Sequence, residues 1–283
     1  DVKRELENIE TPNTKPGELY RLGAHRLLCG DALKANDVAL LMGEEKADMI
    51  YCDPPYNIGL DYFNGIGAVG KYSPTGVVND SKGADEYRDF LDASIKNALA
   101  ASKPNAHVFY WCDEKYVWLL QSLYEANGIA NRRVCLWIKN NIDPTPQVAF
   151  NKCLEVCAYG TRGKPLLNKG IRNLSEILNK DINSIGLYDD LMSLIQMWVV
   201  KRDTTTEYEH PTQKPITLNE KPLKRCTAAG SIVLDLFGGS GSTLIAAEQL
   251  KRRAFLMEID PVFCDVIIKR YEQFTEDHAV KIN

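Results

Sequence analysis

Residues 231–250 limit the fold more than any other stretch, because they pass from strand to turn to helix without a break. Ser231 to Phe237 (SIVLDLF) has the continuous apolar character of a buried strand. Gly238-Gly239-Ser240-Gly241 turns the chain, and Ser242 to Leu250 sets Leu244, Ile245, Ala247 and Leu250 near one face of a helix. Glycines in such a turn let a ligand approach the backbone without meeting a Cβ, and the N–H groups at the helix start hold negative or polar atoms. The same glycines also suit a plain tight turn. A second strand, Ala254 to Met257, ends in Glu258, 23 residues after Asp235, where Rossmann-type sites hold ribose hydroxyls. The turn has no third glycine at dinucleotide spacing and no Lys-Ser/Thr of a phosphate loop. A nucleoside without phosphates therefore fits better than a pyrophosphate or triphosphate.

Strand-like and helix-like segments alternate over most of the remaining length, which predicts an α/β protein with a largely parallel sheet. His25 to Cys29 and Ala47 to Cys52 are apolar runs ending beside Gly30-Asp31 and Asp53-Pro54-Pro55. Between Asp85 and Ser102, residues Tyr87, Phe90, Leu91, Ile95, Ala98 and Leu99 share one helical face. Val108 to Cys112 reads as a strand, and Asp113 is placed to cap a helix closed by Asn127-Gly128. Arg133 to Ile138 and Glu155 to Tyr159 read as further strands. Two stretches break the rhythm. Residues 57–81 carry five glycines among aromatics with no period, a loop long enough to be functional. Residues 162–206 are polar and mixed, and read as an insertion.

No apolar run nears the ~18 residues that span a bilayer, and the first thirty residues hold no signal-like stretch. The eight cysteines are scattered, Cys153 and Cys157 lie one residue too far apart for a redox pair, and the four histidines fall at no zinc-ligand spacing. Buried thiols, no metal, no membrane and a cytoplasmic location are expected. The net charge of −4 gives no global sign of a nucleic-acid partner. Residues 152–202 nevertheless hold eight Lys or Arg against five Asp or Glu, so any such partner must be met by local patches.

Asp53-Pro54-Pro55-Tyr56 follows a predicted strand, which places it at the carboxyl edge of the sheet, where open α/β sheets bind ligands. Two prolines remove two donors and leave carbonyls that only accept. Asp53 adds a further acceptor and Tyr56 a planar face. Two acceptors beside an aromatic platform suit a flat heterocycle with an exocyclic amino group, although a rigid strand-ending turn would use the same residues.

Asp53 to Tyr56 resembles the DPPY motif of amino-methylating DNA methyltransferases, and residues 235–241 (DLFGGSG) resemble their S-adenosylmethionine loop. The order, catalytic motif first and cofactor loop last, is similar to the β group of that family. His210 to Pro215 (HPTQKP) and Gly30 to Leu33 (GDAL) resemble further elements of the group, and Thr14 to Leu33 resembles the stretch after a ParB-like domain in phage-borne members. The resemblance implies a Rossmann-like S-adenosylmethionine-dependent methyltransferase fold with a mixed, mostly parallel sheet and an inserted recognition region. Its divisions fall at residues 1–24 (an N-terminal arm), 25–140 (the catalytic half), 141–206 (target recognition) and 207–283 (the cofactor half).

It also implies the chemistry. A target adenine is rotated out of double-stranded DNA, stacks on Tyr56, and gives its N6 hydrogens to Asp53 and the Pro54 carbonyl, with Pro55 completing the catalytic motif. Phe237, Gly239, Ser240, Gly241 and Ser242 line the S-adenosylmethionine site. Asp235 supports the loop or the amino group, Glu258 takes the ribose hydroxyls, Asp31 and Ala32 lie at the adenine end, and Thr212, Gln213 and Lys214 at the methionine end. Arg162, Lys164, Lys169, Arg172, Lys201 and Arg202 are candidates for DNA contacts. Cytosine-N4 methylation is the near alternative, for which the family more often has serine at the Asp53 position; a non-catalytic DNA-binding subunit is the other. The chain has Leu154-Glu155 where many β members have His-Glu. The resemblance leaves open a homodimer, a restriction endonuclease partner and the recognition sequence. The setting it implies is bacterial cytoplasm, with the chain encoded by the host or by a phage.

Overall fold

A computed structural model describes residues 11–59, 80–143, 152–171 and 216–283. They contain nine strands: β1 (Leu19–Leu22), β2 (His25–Cys29), β3 (Ala47–Cys52), β4 (Ser102–Cys112), β5 (Ala130–Asp143), β6 (Lys152–Arg162), β7 (Ile232–Asp235), β8 (Arg253–Glu258) and β9 (Val280–Lys281). The helices are α1 (Ala35–Met42), α2 (Ala84–Ala100), α3 (Val117–Ala126), α4 (Ile216–Cys226), α5 (Ser242–Gln249) and α6 (Pro261–Thr275).

All nine strands join one sheet in the order β5-β6-β4-β3-β7-β8-β2-β1-β9. The sheet is mixed, as expected. Its centre is parallel, through the β2–β8, β7–β8, β3–β7 and β3–β4 pairs. The flanks are antiparallel, through β1–β2, β1–β9, β4–β6 and β5–β6. Parallel pairs are thus half of the eight rather than the majority, because the β1–β2 and β5–β6 returns need no crossover helix.

The central strands are apolar on both faces because helices cover both. Alternate residues divide between two cores. Ile50, Cys52, Leu234, Phe255 and Met257 pack with Leu41, Tyr87, Leu91, Ile95 and Leu123 from α1, α2 and α3. Met49, Tyr51, Val233 and Leu256 pack with Leu218, Leu244, Ile245 and Ile267 from α4, α5 and α6. Burying each such side chain contributes roughly 1.5–3 kcal/mol. The helical face expected between Asp85 and Ser102 is the buried face of α2, with Phe90 half-buried at its rim. Asp113 accepts from the Lys115 amide and starts a single 3-10 turn that leads into α3.

The segment before β1 is tied down at a distance. Thr14 donates its hydroxyl and its amide to Asp265 Oδ1 on α6, at 2.5 and 3.0 Å. Cys29, Cys52, Cys112, Cys135, Cys157, Cys226 and Cys264 are buried, and none of these seven is in a disulfide.

Candidate active site

The strand order reverses between β3 and β7. From β3 the chain crosses to β4 on one side, and from β7 to β8 on the other, so the carboxyl ends of β3 and β7 flank a crevice. Ile50 pairs with Leu234, and carrying that register forward sets Asp53 beside Phe237. The two motifs therefore leave the ends of neighbouring strands, which pair at roughly 4.8 Å.

On the β7 side, Asp235 holds the turn. Its Oδ1 accepts from the Phe237 amide at 3.0 Å and its Oδ2 from the Thr243 hydroxyl at 2.8 Å. Burial pushes the Asp235 carboxyl up to about 8 against these two hydrogen bonds, and the charges of Asp53 and Glu258 push the same way. Gly239 has φ 52° and open space where a Cβ would stand, whereas a Cβ on Gly241 (φ 83°) would press on Ile267 at 3.1 Å. Gly241 is there for packing and for capping α5, and Gly239 for access. The Gly239 amide donates to Glu258 Oε2 at 2.7 Å and the Asp260 amide to Oε1 at 2.9 Å. Burial raises the Glu258 carboxyl to about 7, opposed by these two amides. A carboxylate so placed can accept from ribose hydroxyls.

Gly30 reaches the same corner, donating its amide to the Glu258 carbonyl at 3.0 Å. Asp31 Oδ1 accepts from the Leu33 amide, and the Ala32 carbonyl accepts from Asn97 on α2. A cavity of 530 Å³ lies between Leu33 and the start of α2, lined also by Lys82, Glu86, Asp89 and Phe90. Phe90 in turn meets Phe237 at 5.8 Å between ring centres. Ser240 is buried and Ser242 half-buried at the turn. These groups fit a nucleoside bearing a small polar tail: one open backbone approach, one carboxylate for a diol, and aromatic and aliphatic walls.

On the β3 side, Tyr56 is 8% exposed and its hydroxyl faces two carboxylates, Asp53 Oδ1 at 2.9 Å and Glu155 Oε2 at 3.1 Å. Burial raises its phenol well above 10, and both carboxylates add to the shift. The Pro55 carbonyl accepts from the Tyr87 hydroxyl at 3.0 Å. Pro54 is buried, and its carbonyl has no donor among the described residues. A carbonyl in this position can accept an N–H.

Asn57 takes φ 56°, a left-handed conformation that asparagine tolerates better than most residues. Asp80 secures it, accepting from the Asn57 amide at 2.6 Å and the Ile58 amide at 3.2 Å. Asn57 also spans to Lys82, donating Nδ2–H to its carbonyl at 3.0 Å and accepting from its amide at 2.5 Å.

Three sequence candidates for nucleic-acid contact are described. Lys164 lines a cavity of 620 Å³ with Arg132, Arg133, Lys221 and Arg225 over an aromatic wall of His107, Phe109 and Tyr159, and no acidic residue lines it among those described. Arg162 donates to the Leu99 carbonyl at 3.0 Å and so ties β6 to α2, while Lys169 is exposed. Thr212, Gln213, Lys214, Arg172, Lys201 and Arg202 lie outside the described residues.

Sequence reasoning missed Glu155, Asp80 and the arginines of β5. Glu155 carried a signal, an acidic residue inside an otherwise apolar strand run. Asp80 carried none, because its partner stands at the other end of a long loop.

A family model described as DNA methylase matches residues 47–270. The Type II methyltransferase M2.DpnII of Streptococcus pneumoniae is 25% identical over 241 residues, covering 83% of this chain and 86% of that protein. Among solved structures, the M1.HpyAVI–SAM complex superposes with a TM-score of 0.59 at 21% identity, covering 86% of this chain and 97% of that one. PvuII DNA methyltransferase, which is cytosine-N4-specific, gives 0.60 at 16% identity, covering 94% of each chain.

Proposed function

The chain belongs to the DNA methylase family, and on that premise we propose that it methylates N6 of an adenine extruded from duplex DNA, with S-adenosylmethionine as donor. The observation that carries this reading is the Pro54 carbonyl, buried and without a donor among the described residues, beside Asp53 and one strand from the Gly239 turn. A primary amine on a flat ring offers two hydrogens, and Asp53 and Pro54 offer two acceptors. Accepting both draws the nitrogen toward sp³ character and turns its lone pair away from the ring. The bound donor supplies an electrophilic methyl group on a sulfonium. Asp53, Pro54 and Tyr56 hold the amine in line with that methyl, and catalysis is positioning and electrostatics.

Glu258 and the Gly239 turn hold the donor's ribose, and the cavity beside Leu33 and Phe90 takes its base. Extruding the target costs a few kcal/mol, which contacts to the DNA backbone must offset. Arg132, Arg133, Lys164 and Lys221 supply such contacts, locally reversing the chain's acidic balance. The setting is bacterial cytoplasm. Mass spectrometry of nucleosides from DNA treated with the protein and S-adenosylmethionine tests the reading. N6-methyladenine supports it, and N4-methylcytosine alone assigns the same pocket to the other amino base.

A further inference from the structure

The larger cavity lies away from the Asp53 corner. Phe109 pairs with Tyr51 on β3 and with Tyr159 on β6, so Tyr159 stands two strands across from β3, level with a residue two places before Asp53. At about 3.3 Å per residue and about 4.8 Å per strand, that is roughly 7 Å behind Asp53 and roughly 10 Å across the sheet. The floor of the cavity is aromatic. The Tyr159 and Phe109 rings stack at 4.4 Å between centres and 16° between planes, and His107 Nδ1 lies 3.1 Å from the Tyr159 hydroxyl. The rim is cationic. Arg132, Arg133 and Lys164 are exposed there, Arg225 is half-buried, and none of the four is paired with a carboxylate among the described residues.

The rim is also held in place. Arg132 Nε donates to Thr161 Oγ1 at 2.9 Å, the Lys164 amide to Asn105 Oδ1 at 2.8 Å, and Arg225 Nη1 to the Asn168 carbonyl at 2.5 Å. His107 donates Nε2–H to the Leu166 carbonyl at 2.8 Å, and a Cβ on Gly163 (φ 60°) would fall 2.7 Å from the Pro104 carbonyl, so the loop after β6 lies closed against β4. A ligand that meets such a rim loses little affinity to ordering it. Phosphate contacts alone need only an open basic surface. A recess of 620 Å³ with a ring at its base and guanidinium groups at its mouth fits a planar group below and an anion above. We propose that this cavity binds one unstacked nucleotide, its base on Tyr159 and its phosphate on Arg132 and Arg133, as a site separate from the Asp53 pocket and the Gly239 turn. Two sources share that chemistry, a free nucleoside monophosphate and an unpaired nucleotide of a DNA strand.

The test uses 2-aminopurine, whose fluorescence falls when it stacks. Its deoxyriboside 5′-monophosphate and a single-stranded oligonucleotide carrying one internal 2-aminopurine are each titrated against the full chain, with S-adenosylhomocysteine filling the donor site. Quenching of the monophosphate assigns the cavity to a free nucleotide, and quenching of the oligonucleotide alone assigns it to DNA. In either arm, Tyr159→Leu weakens binding about tenfold or more, as does Arg132→Gln combined with Arg133→Gln. Tyr159→Phe keeps the ring and stays within about threefold of the unaltered chain, and Asp53→Ala stays within about twofold. No quenching of either probe overturns the proposal, as does quenching that survives Tyr159→Leu or the arginine pair, or a loss in Asp53→Ala as large as theirs. Should Tyr159→Leu not fold, the arginine pair, which is exposed, decides by the same rule. No methyl transfer is read in this experiment, so its outcome stands apart from that of the function proposed above.

Discussion

The Gly239 amide donates to Glu258 Oε2 at 2.7 Å, so the turn after β7 and the end of β8 are one rigid corner. On the proposed function, the carboxylate that orders the turn also takes the donor's diol. Its ionised form is the useful one, and burial holds it near 7. Donor affinity therefore rises as pH increases from 6 to 8, while Glu258→Gln binds about tenfold more weakly with a flattened pH profile. Calorimetric titration of S-adenosylmethionine at several pH values checks both.

Asp235 is pushed up to about 8 by burial, so at pH 7 it is mostly protonated. Asp235→Asn is accordingly mild, because an amide still accepts from Phe237 and meets Thr243, while Asp235→Ala leaves those donors unpaired and costs about 1–3 kcal/mol. The sign of the pH effect follows. Asp235 and Glu258 hold protons in the folded state above their unfolded values of 3.8 and 4.5. Their contribution to stability is full below the unfolded values of 3.8 and 4.5 and is lost progressively from there as pH rises through the folded values of about 8 and about 7. Thermal melts across that window read it, and in Asp235→Asn the slope is shallower.

Asp80 accepts the amides of Asn57 and Ile58 and so secures the left-handed residue that follows Tyr56. Asp80→Ala exposes that strain and lowers stability by about 1–3 kcal/mol. Methyl transfer falls more than donor binding, since the damage lies on the β3 side. Paired melting curves and single-turnover rates separate the two effects.

Arg132 and Arg133 line the basic cavity with Lys164 and Lys221. If they neutralise phosphates, the double change to Gln weakens duplex binding and reduces the slope of log K against log salt by about 1–2. Fluorescence anisotropy with a labelled duplex at several salt concentrations measures this.

The parallel centre was readable because β3, β7 and β8 are continuous apolar runs and each ends in an acidic residue or a turn. The same local signals located Asp53, Gly239 and Glu258. α6 carries local signals too, since Asp260 caps it and Pro261 opens it. β1 and β9 were beyond a local reading. They are short, and β9 pairs only through two residues with β1 from the other end of the chain. Glu155 was hard for a different reason: its place beside Tyr56 comes from the antiparallel return of β6, which local periodicity does not encode.

The most direct test is single-turnover methyl transfer by Asp53→Ala beside wild type, with N6-methyladenine read by mass spectrometry and donor binding by calorimetry. Loss of one of the two amine acceptors lowers the rate by about 100-fold or more while leaving donor Kd within about twofold. A variant that methylates adenine at the wild-type rate would show that the amine is not gripped at residues 53 and 54.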